Sequence, residues 1–375
     1  MPSKRFQEAA LSPAHVLLLL LARTQPSESS DHEARALIAA ESIDWDDFFA
    51  LANAHGVVSL CHRALSRISP HSLPPDMHTR LQRAAMNMAM RNLEMTTELI
   101  RVSSLLERDG VQVITYKGPT LSALAYGGVG VRHFTDLDVI VPESQLVQAK
   151  TALTGIGYTP FSDPEHRAVQ QEDHDRSYQG YDLISPNQRI AVDLQMRFGL
   201  RFSSFSLPFE TLWAGRGQVQ FGDRTVNIPS MEDYLLALCA HGTQHRWGRL
   251  KWVCDLAELG RDARISWEVV FQRAEAMRIT RMVIIGVLLA HEALDMPLPQ
   301  SIRDRILADR RASRLALAAF RWMFTEVHGT WMLIRRAQFD YAFDLAVRPR
   351  LRDQVSVVLF LTRRRLFPRH ASLGD

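Results

Sequence analysis

Thr115-Tyr116-Lys117-Gly118, followed after a short gap by Arg132-His133-Phe134-Thr135-Asp136-Leu137-Asp138-Val139-Ile140-Val141-Pro142, decides how this chain is read. Asp136 and Asp138 stand two residues apart at the mouth of an apolar, β-like run. On a strand, side chains i and i+2 share a face, roughly 6.5–7 Å apart along the backbone. That spacing lets both carboxylates lean onto one metal site. Two like charges on one face destabilise a fold unless a cation offsets them. The pair therefore points to a divalent metal holding a nucleoside triphosphate.

Upstream, Val111, Val113 and Thr115 alternate with Gln112 and Ile114, the period of a strand, which Lys117-Gly118-Pro119 ends. Thr120 to Tyr126 reads as a short helix, and Gly127-Gly128-Val129-Gly130 connects it to the Asp136 strand. Ser144 to Gly155 has the pattern of an amphipathic helix. Tyr178 to Ile184 and Gln188 to Met196 form a hairpin around Ser185-Pro186-Asn187. Symmetric pairing about that turn sets Asp193 opposite Gly180. A second hairpin is expected over Gly217 to Ile228, turning at Gly222-Asp223.

Both flanks are helical. From Pro13 to about Ile68 the pattern has a helix period, with a start at Ser42-Ile43-Asp44-Trp45-Asp46-Asp47. Ser69 to Pro75 breaks it, and Val16 to Ala22 reads as a core helix too short to span a bilayer. A long helix follows from Met77 to Arg108, whose methionines, Met86 and Met90 among them, read as adaptable core filler. Beyond Pro229, Ser230 is a good N-cap, with Glu232 and Asp233 suiting the helix dipole. The chain thus divides into a helical region (1–108), a mixed α/β centre (109–229) and a helical region with a basic tail (230–375).

The bulk numbers are those of a globular chain: 375 residues, 46% hydrophobic, 23% charged and a net charge of +3. So small a net charge does not by itself call for a nucleic-acid partner. Three scattered cysteines, Cys61, Cys239 and Cys254, suggest buried thiols and a reducing, cytoplasmic setting.

Nucleotidyl transfer with two metals needs a third carboxylate. Asp193, in Arg189-Ile190-Ala191-Val192-Asp193-Leu194-Gln195, is the candidate. Asp136 and Asp138 would hold the triphosphate-bound ion. Asp193 would hold the ion that lowers the acceptor hydroxyl's pKa. Two Mg²⁺ ions suit carboxylate plus phosphate oxygens. Gly118 would let backbone N–H groups approach phosphate, with Lys117 adding charge, and Arg132 would offset charge on the leaving pyrophosphate. The plainer alternatives make Lys117 a surface lysine and Arg132 a partner of the acidic pair.

The series Gly118 … Asp136-Leu137-Asp138 … Asp193 resembles the DNA-polymerase-β-like nucleotidyltransferase superfamily. More narrowly it is similar to a poorly characterised bacterial nucleotidyltransferase family. That similarity extends to Asp44-Trp45 … His55-Gly56-Val57 and to His241-Gly242 … His245-Arg246-Trp247 … Leu250-Lys251-Trp252 … Asp255-Leu256, covering about residues 10 to 300. The resemblance implies an α+β fold, a polymerase-β-like core with a small mixed sheet, flanked by N- and C-terminal helical domains. Two departures stand out. The superfamily's Gly-Ser is Gly118-Pro119 here, and the narrower family's His-Trp after the third acid is Gln195-Met196.

His241 and His245, at i and i+4, share a helix face but lack further ligands for zinc. With Trp247 and Lys251 they are expected either to line the cleft between helices and α/β centre, touching nucleotide or acceptor, or simply to pack the two regions together. The C-terminal arginines (Arg335, Arg336, Arg348, Arg350, Arg352, Arg363, Arg364, Arg365 and Arg369) could steer an anionic partner, but solvated helix faces give similar runs. With Val355 to Leu361 packed inward, the second explanation is preferred. The sequence thus suggests a Mg²⁺-dependent nucleotidyltransferase moving a nucleoside monophosphate from a triphosphate to a hydroxyl or phosphate of a small molecule, sugar or peptide. The rivals are a toxin-like tRNA-modifying enzyme and a non-catalytic nucleotide-binding scaffold or sensor.

Overall fold

The computed structural model describes residues 11–40, 43–68, 73–161, 180–199, 205–325, 329–348, 352, 354 and 355. Among the described residues five helices come first: α1 (Pro13–Leu21), α2 (Glu28–Ala39), α3 (Trp45–Ala54), α4 (Val58–Ile68) and α5 (Pro75–Arg108). The α/β centre follows as β1 (Ile114–Tyr116), α6 (Gly118–Tyr126), β2 (Asp136–Ile140), α7 (Leu146–Gly155), β3 (Thr159–Pro160), β4 (Gly180–Ile184) and β5 (Ala191–Gln195). Two short hairpins, β6 (Arg197–Gly199) with β7 (Ser206–Pro208) and β8 (Gly217–Phe221) with β9 (Arg224–Ile228), enclose α8 (Phe209–Ala214). The rest is helical: α9 (Met231–Gln244), α10 (Leu250–Gly260), α11 (Trp267–Ala276), α12 (Thr280–Leu294), α13 (Gln300–Ala308), α14 (Arg310–Met323) and α15 (Gly329–Val347). The fold is α+β, a small mixed sheet with flanking helices.

The main sheet has the order β1-β2-β5-β4-β3, with β2 and β5 parallel and the other neighbours antiparallel. Its two faces follow from the period of two along each strand. Leu137, Val139, Leu183, Val192 and Leu194 point to one side. They pack against Met95, Leu99, Val102 and Leu106 of α5 and Leu146, Ala149 and Leu153 of α7. Full burial of each such side chain contributes about 1.5–3 kcal/mol. Asp136, Asp138 and Asp193 fall on the opposite side.

The helices before and after the sheet share one core. Leu17 to Leu21 of α1 and Leu60 and Leu65 of α4 belong to the same buried cluster as Leu235, Leu256, Leu288 and Phe320. Buried Arg23 ties the regions together by donating to Ser30 Oγ (2.8 Å) and the Ala293 carbonyl (3.2 Å) and by pairing with Asp295. All three cysteines are free and buried. No helix among the described residues is long and apolar enough to cross a membrane.

Several expectations are met. The long helix begins at Pro75, Asp44 caps α3, Ser230 caps α9, and the second hairpin closes at Phe221–Arg224. Others need correction. Asp193 lies opposite Asp182, and Gly180 lies opposite Gln195. The hairpin is centred further along than a symmetric turn suggests. The Ser185 amide donates to the Ile190 carbonyl, and Gln188 takes a left-handed conformation, φ 57°, between them. Tyr178 and Gln179, the expected start of that strand, lie outside the described residues.

Met86 and Met90 are not core filler: with Leu93 they are 57%, 65% and 57% exposed. The 34-residue helix α5 is about 51 Å long and joins two cores, Met77 and Leu81 in one and Met95 to Leu106 in the other. Its middle outer face lies between them. Val355 is exposed rather than packed inward, and Ser356 to Leu361 lie outside the described residues.

Candidate active site

The β-sheet register lines up the acidic residues. Tyr116 on β1 pairs with Asp138 on β2, Asp138 with Asp193 on β5, and Asp193 with Asp182 on β4. Directly paired residues share a face, at a strand spacing of about 4.8 Å. Asp136, two residues before Asp138, joins that face at its exposed end.

Asp138 is 4% exposed. Burial raises its carboxyl to about 6, and Asp136 adds to the rise. Lys117, Arg132 and the Tyr116 hydroxyl act against it. The Lys117 ammonium lies 3.6 Å from Asp138 Oδ1 and 4.7 Å from the Tyr116 ring centre. Lys117 is thus an inward-facing partner of the acidic pair, not a surface lysine. On β5, the Gln195 amide donates to Asp193 Oδ2, and Tyr116 donates to Gln195 Oε1 at 3.5 Å. Gln195, standing where the narrower family tends to have histidine, therefore engages the third acid directly.

The turn ahead of α6 is unusual. Lys117 has φ 54° and ψ −151°, a region that only glycine enters readily and that costs another residue about 1–3 kcal/mol. Its N–H donates to the Tyr234 hydroxyl of α9 at 2.5 Å, and that hydroxyl lies 3.3 Å from Thr120 Oγ1. Gly118 follows at φ 45°, where a Cβ would stand 3.3 Å from the Asp136 carbonyl. The glycine lets this turn lie against the start of β2. The Lys117 N–H is committed to Tyr234, so it is the lysine's ammonium that faces the acids.

Arg132 pairs with a carboxylate outside the acidic row. It is 6% exposed and makes a two-pronged pair with Asp255 of α10, Nε to Oδ1 at 2.8 Å and Nη2 to Oδ2 at 2.9 Å. Tyr126 also donates to Asp255 Oδ1 at 2.9 Å. Asn92 of α5 fixes the loop, donating to the carbonyls of Val129 (2.6 Å) and Arg132 (2.8 Å). Buried Arg132 Nη1 has no hydrogen-bond partner among the described residues.

Helices α9 and α10 supply the facing wall. His241 and His245 lie ring to ring, centroids 4.6 Å apart, and His245 stacks on Trp252 at 4.9 Å and 27°. Burial, then the cations Lys117, Arg132 and Lys251 with His245, push His241 well below its usual value. His245, at the open rim, is lowered to about 4 by partial burial and by Lys117, Arg246, Arg249 and Lys251. Burial also lowers Lys251 to about 8, with Arg132 and Arg249 adding to the fall and Asp255 and Asp136 resisting it. His133 falls to about 4 through burial and the nearby Lys251, Arg132 and Arg249. Trp247 does not line this wall. It is fully buried, its ring lying 2.6–2.7 Å from where Cβ atoms on Gly242 and Gly286 would stand.

The structure therefore brings Asp136, Asp138, Asp193, Lys117 and Gly118 together on the sheet side, with Arg132, Lys251, His241 and His245 around them. The sequence reading missed Asp182, Tyr234, Trp252, His133 and the Arg132–Asp255 bond. Trp252 and Asp255 had a signal, as parts of the wider resemblance. Among the described residues no three His, Cys, Asp or Glu side chains converge closely enough to hold a metal ion. Lys117 and Gln195 take the facing oxygens of Asp138 and Asp193. The all-oxygen row, with the Asp138 carboxyl raised by burial and by Asp136, nevertheless fits a hard divalent cation in donor type. The profile of a protein family described as "uncharacterised nucleotidyltransferase" matches residues 41–295. No curated protein matches the chain.

Proposed function

The chain belongs to that nucleotidyltransferase family, and from this premise we propose that it moves a nucleoside monophosphate from a Mg²⁺-bound triphosphate to a hydroxyl or phosphate acceptor, releasing pyrophosphate. The observation that carries this is the shared register line of Asp138 and Asp193, with Asp136 on the same face and Lys117 over it. Asp136, Asp138 and Asp193 would hold two Mg²⁺ ions, which when bound supply charge for the phosphates and acidify the acceptor hydroxyl. Lys117, the free Nη1 of Arg132 and Lys251 would offset charge on the leaving pyrophosphate. The neutral His245 ring, stacked on Trp252 with His241 edge-on beside it, offers an aromatic surface for the base or the acceptor. Gly118 keeps the Lys117 turn close to β2.

Small molecules, sugars or peptides fit better as acceptors than RNA. Among the described residues, Arg246, Arg336 and Arg348 are spent on Asp340 and Asp344 rather than presented as a basic surface. Arg350, Arg363, Arg364, Arg365 and Arg369 lie outside those residues. The buried free thiols suit a reducing, cytoplasmic setting.

Purified protein given each of the four triphosphates with Mg²⁺ and candidate acceptors should release pyrophosphate with one of them. Asp136→Asn and Asp138→Asn should each lower that rate by roughly 10²–10³-fold without lowering the melting temperature. Full activity in either variant would remove the mechanism. The bond from Gln195 to Asp193 favours a second reading, a nucleotide-binding member with weak turnover. It predicts Mg²⁺-dependent triphosphate binding without pyrophosphate, and Gln195→His should then raise the rate.

A further inference from the structure

We propose that the His55–Gly56 turn of the N-terminal helices is a positioning device for Lys251, fixing its ammonium beside the acidic pair to receive the donor's polyphosphate. The inference rests on the nucleotidyltransferase reading above, because it assigns that polyphosphate to Lys251.

Three contacts join the turn to the start of α10, almost 200 residues away. The Leu250 N–H donates to His55 Nδ1 at 3.1 Å, and the Lys251 N–H donates to the His55 carbonyl at 3.1 Å. These are two of the first N–H groups of α10, which a helix cannot satisfy itself. Arg249, at the cap position, offers no side-chain bond. The third contact is steric. Gly56 has φ 69°, and a Cβ there would stand 2.9 Å from Lys251 Cδ and 3.6 Å from its Cβ and Cγ. The aliphatic stem of Lys251 thus runs through the space left by a missing side chain.

At the far end of that stem the ammonium lies within electrostatic reach of Arg132, Asp255, Arg249 and Asp136. Among the described residues it has neither an ion pair nor a hydrogen bond. Asp255 is already engaged by Arg132 and Tyr126. A half-buried ammonium crowded by two guanidinium groups is costly unless an anion joins it. Burial lowering Lys251 to about 8 has the same origin. A triphosphate supplies that anion next to the carboxylates. His55 is itself buried and lowered to about 4 by burial and by His15 and Arg249, so its ring is neutral and Nδ1 can accept. The N-terminal helices are then a working wall of the site.

Inorganic tripolyphosphate and MgATP serve as probes, with affinity followed by calorimetry on full-length protein and folding checked by melting curves. Lys251→Ala, Gly56→Ala and His55→Leu should each weaken tripolyphosphate binding by about tenfold or more. His55→Asn should bind like wild type, since the asparagine carbonyl can accept from Leu250 in place of Nδ1. In turnover, Gly56→Ala should raise KM for the triphosphate and leave kcat close to wild type, a split that general destabilisation does not produce. Folded Gly56→Ala and His55→Leu proteins binding as tightly as wild type, beside a weakened Lys251→Ala, would overturn the positioning role and leave the function standing. A Lys251→Ala protein with undiminished binding would overturn it as well. Wild type that binds neither probe would instead overturn the nucleotidyltransferase reading beneath it.

Discussion

The two faces of the five-stranded sheet come from the same strands but are held by different physics. On one face Leu137, Val139, Val192 and Leu194 are fully buried against α5 and α7, and stability comes from area removed from water. On the other, Asp138, Asp193 and Asp182 stand in one row, and two of them spend their oxygens on Lys117 and Gln195. The apolar face is complete as built. The acidic face is only partly covered, Asp136 being exposed and Asp182 and Asp193 half-buried, so it is poised for a ligand. A strand with a period of two can serve a core and a site at once, with neither compromising the other's sequence.

The sharpest way to break that contrast lies at the joint between the acidic face and the helical wall. Asp255→Asn removes one partner of the buried Arg132 pair and leaves a guanidinium uncompensated. It should lower stability by about 3–5 kcal/mol, measured by urea unfolding. A loss below 1 kcal/mol would mean the wall does not depend on this bond. Next, Leu194→Ala on the apolar face should cost about 2–5 kcal/mol yet leave kcat per folded molecule unchanged. A comparable loss of kcat would show that the faces are not separable.

The third test is a titration in metal-free buffer. Folding raises the Asp138 carboxyl from 3.8 to about 6, so the folded state holds this proton more tightly than the unfolded chain. The associated stability is present below pH 4 and is lost as pH rises through 6, a change of roughly 3 kcal/mol. His55, His133 and His245, each lowered to about 4, act in the opposite sense as pH falls through 6.5. The difference between wild type and Asp138→Asn therefore isolates the carboxyl. A difference that stays flat between pH 4 and 7 would remove the case that burial holds the proton on this carboxyl.

What the sequence disclosed, and what it withheld, follows the range of the interactions. Asp136-Leu137-Asp138, the hairpin at Gly222-Asp223 and the caps Asp44 and Ser230 are encoded by residues a few positions apart. Placing Asp193 on the acidic face also needed only strand periodicity. Its partner could not be read so. The identity of the opposing residue depends on a loop whose hydrogen bonds run from Ser185 to Ile190, and a shift of two residues exchanges Gly180 for Asp182. Arg132 with Asp255, Lys117 with Tyr234 and His55 with Leu250 span more than 100 residues each, so no local pattern announces them. Trp247 misled because its aromatic neighbours in sequence line the wall, while its own ring fills the space beside Gly242 and Gly286. Met86 and Met90 misled for another reason: helical spacing marks a stripe but not what covers it.

The shared helical core has a consequence for how the chain is made. The Arg23 guanidinium meets the Ala293 carbonyl across 270 residues of sequence, and the leucines of α1 share their core with α10, α12 and α14. During synthesis at about 5–20 residues per second, α1 emerges roughly 10–50 s before the helices that will cover it. For that interval Leu17-Leu18-Leu19-Leu20-Leu21 have only α2, α3 and α4 to pack against. Whatever those three helices leave uncovered is a natural target for a ribosome-associated holdase until the later helices complete the core.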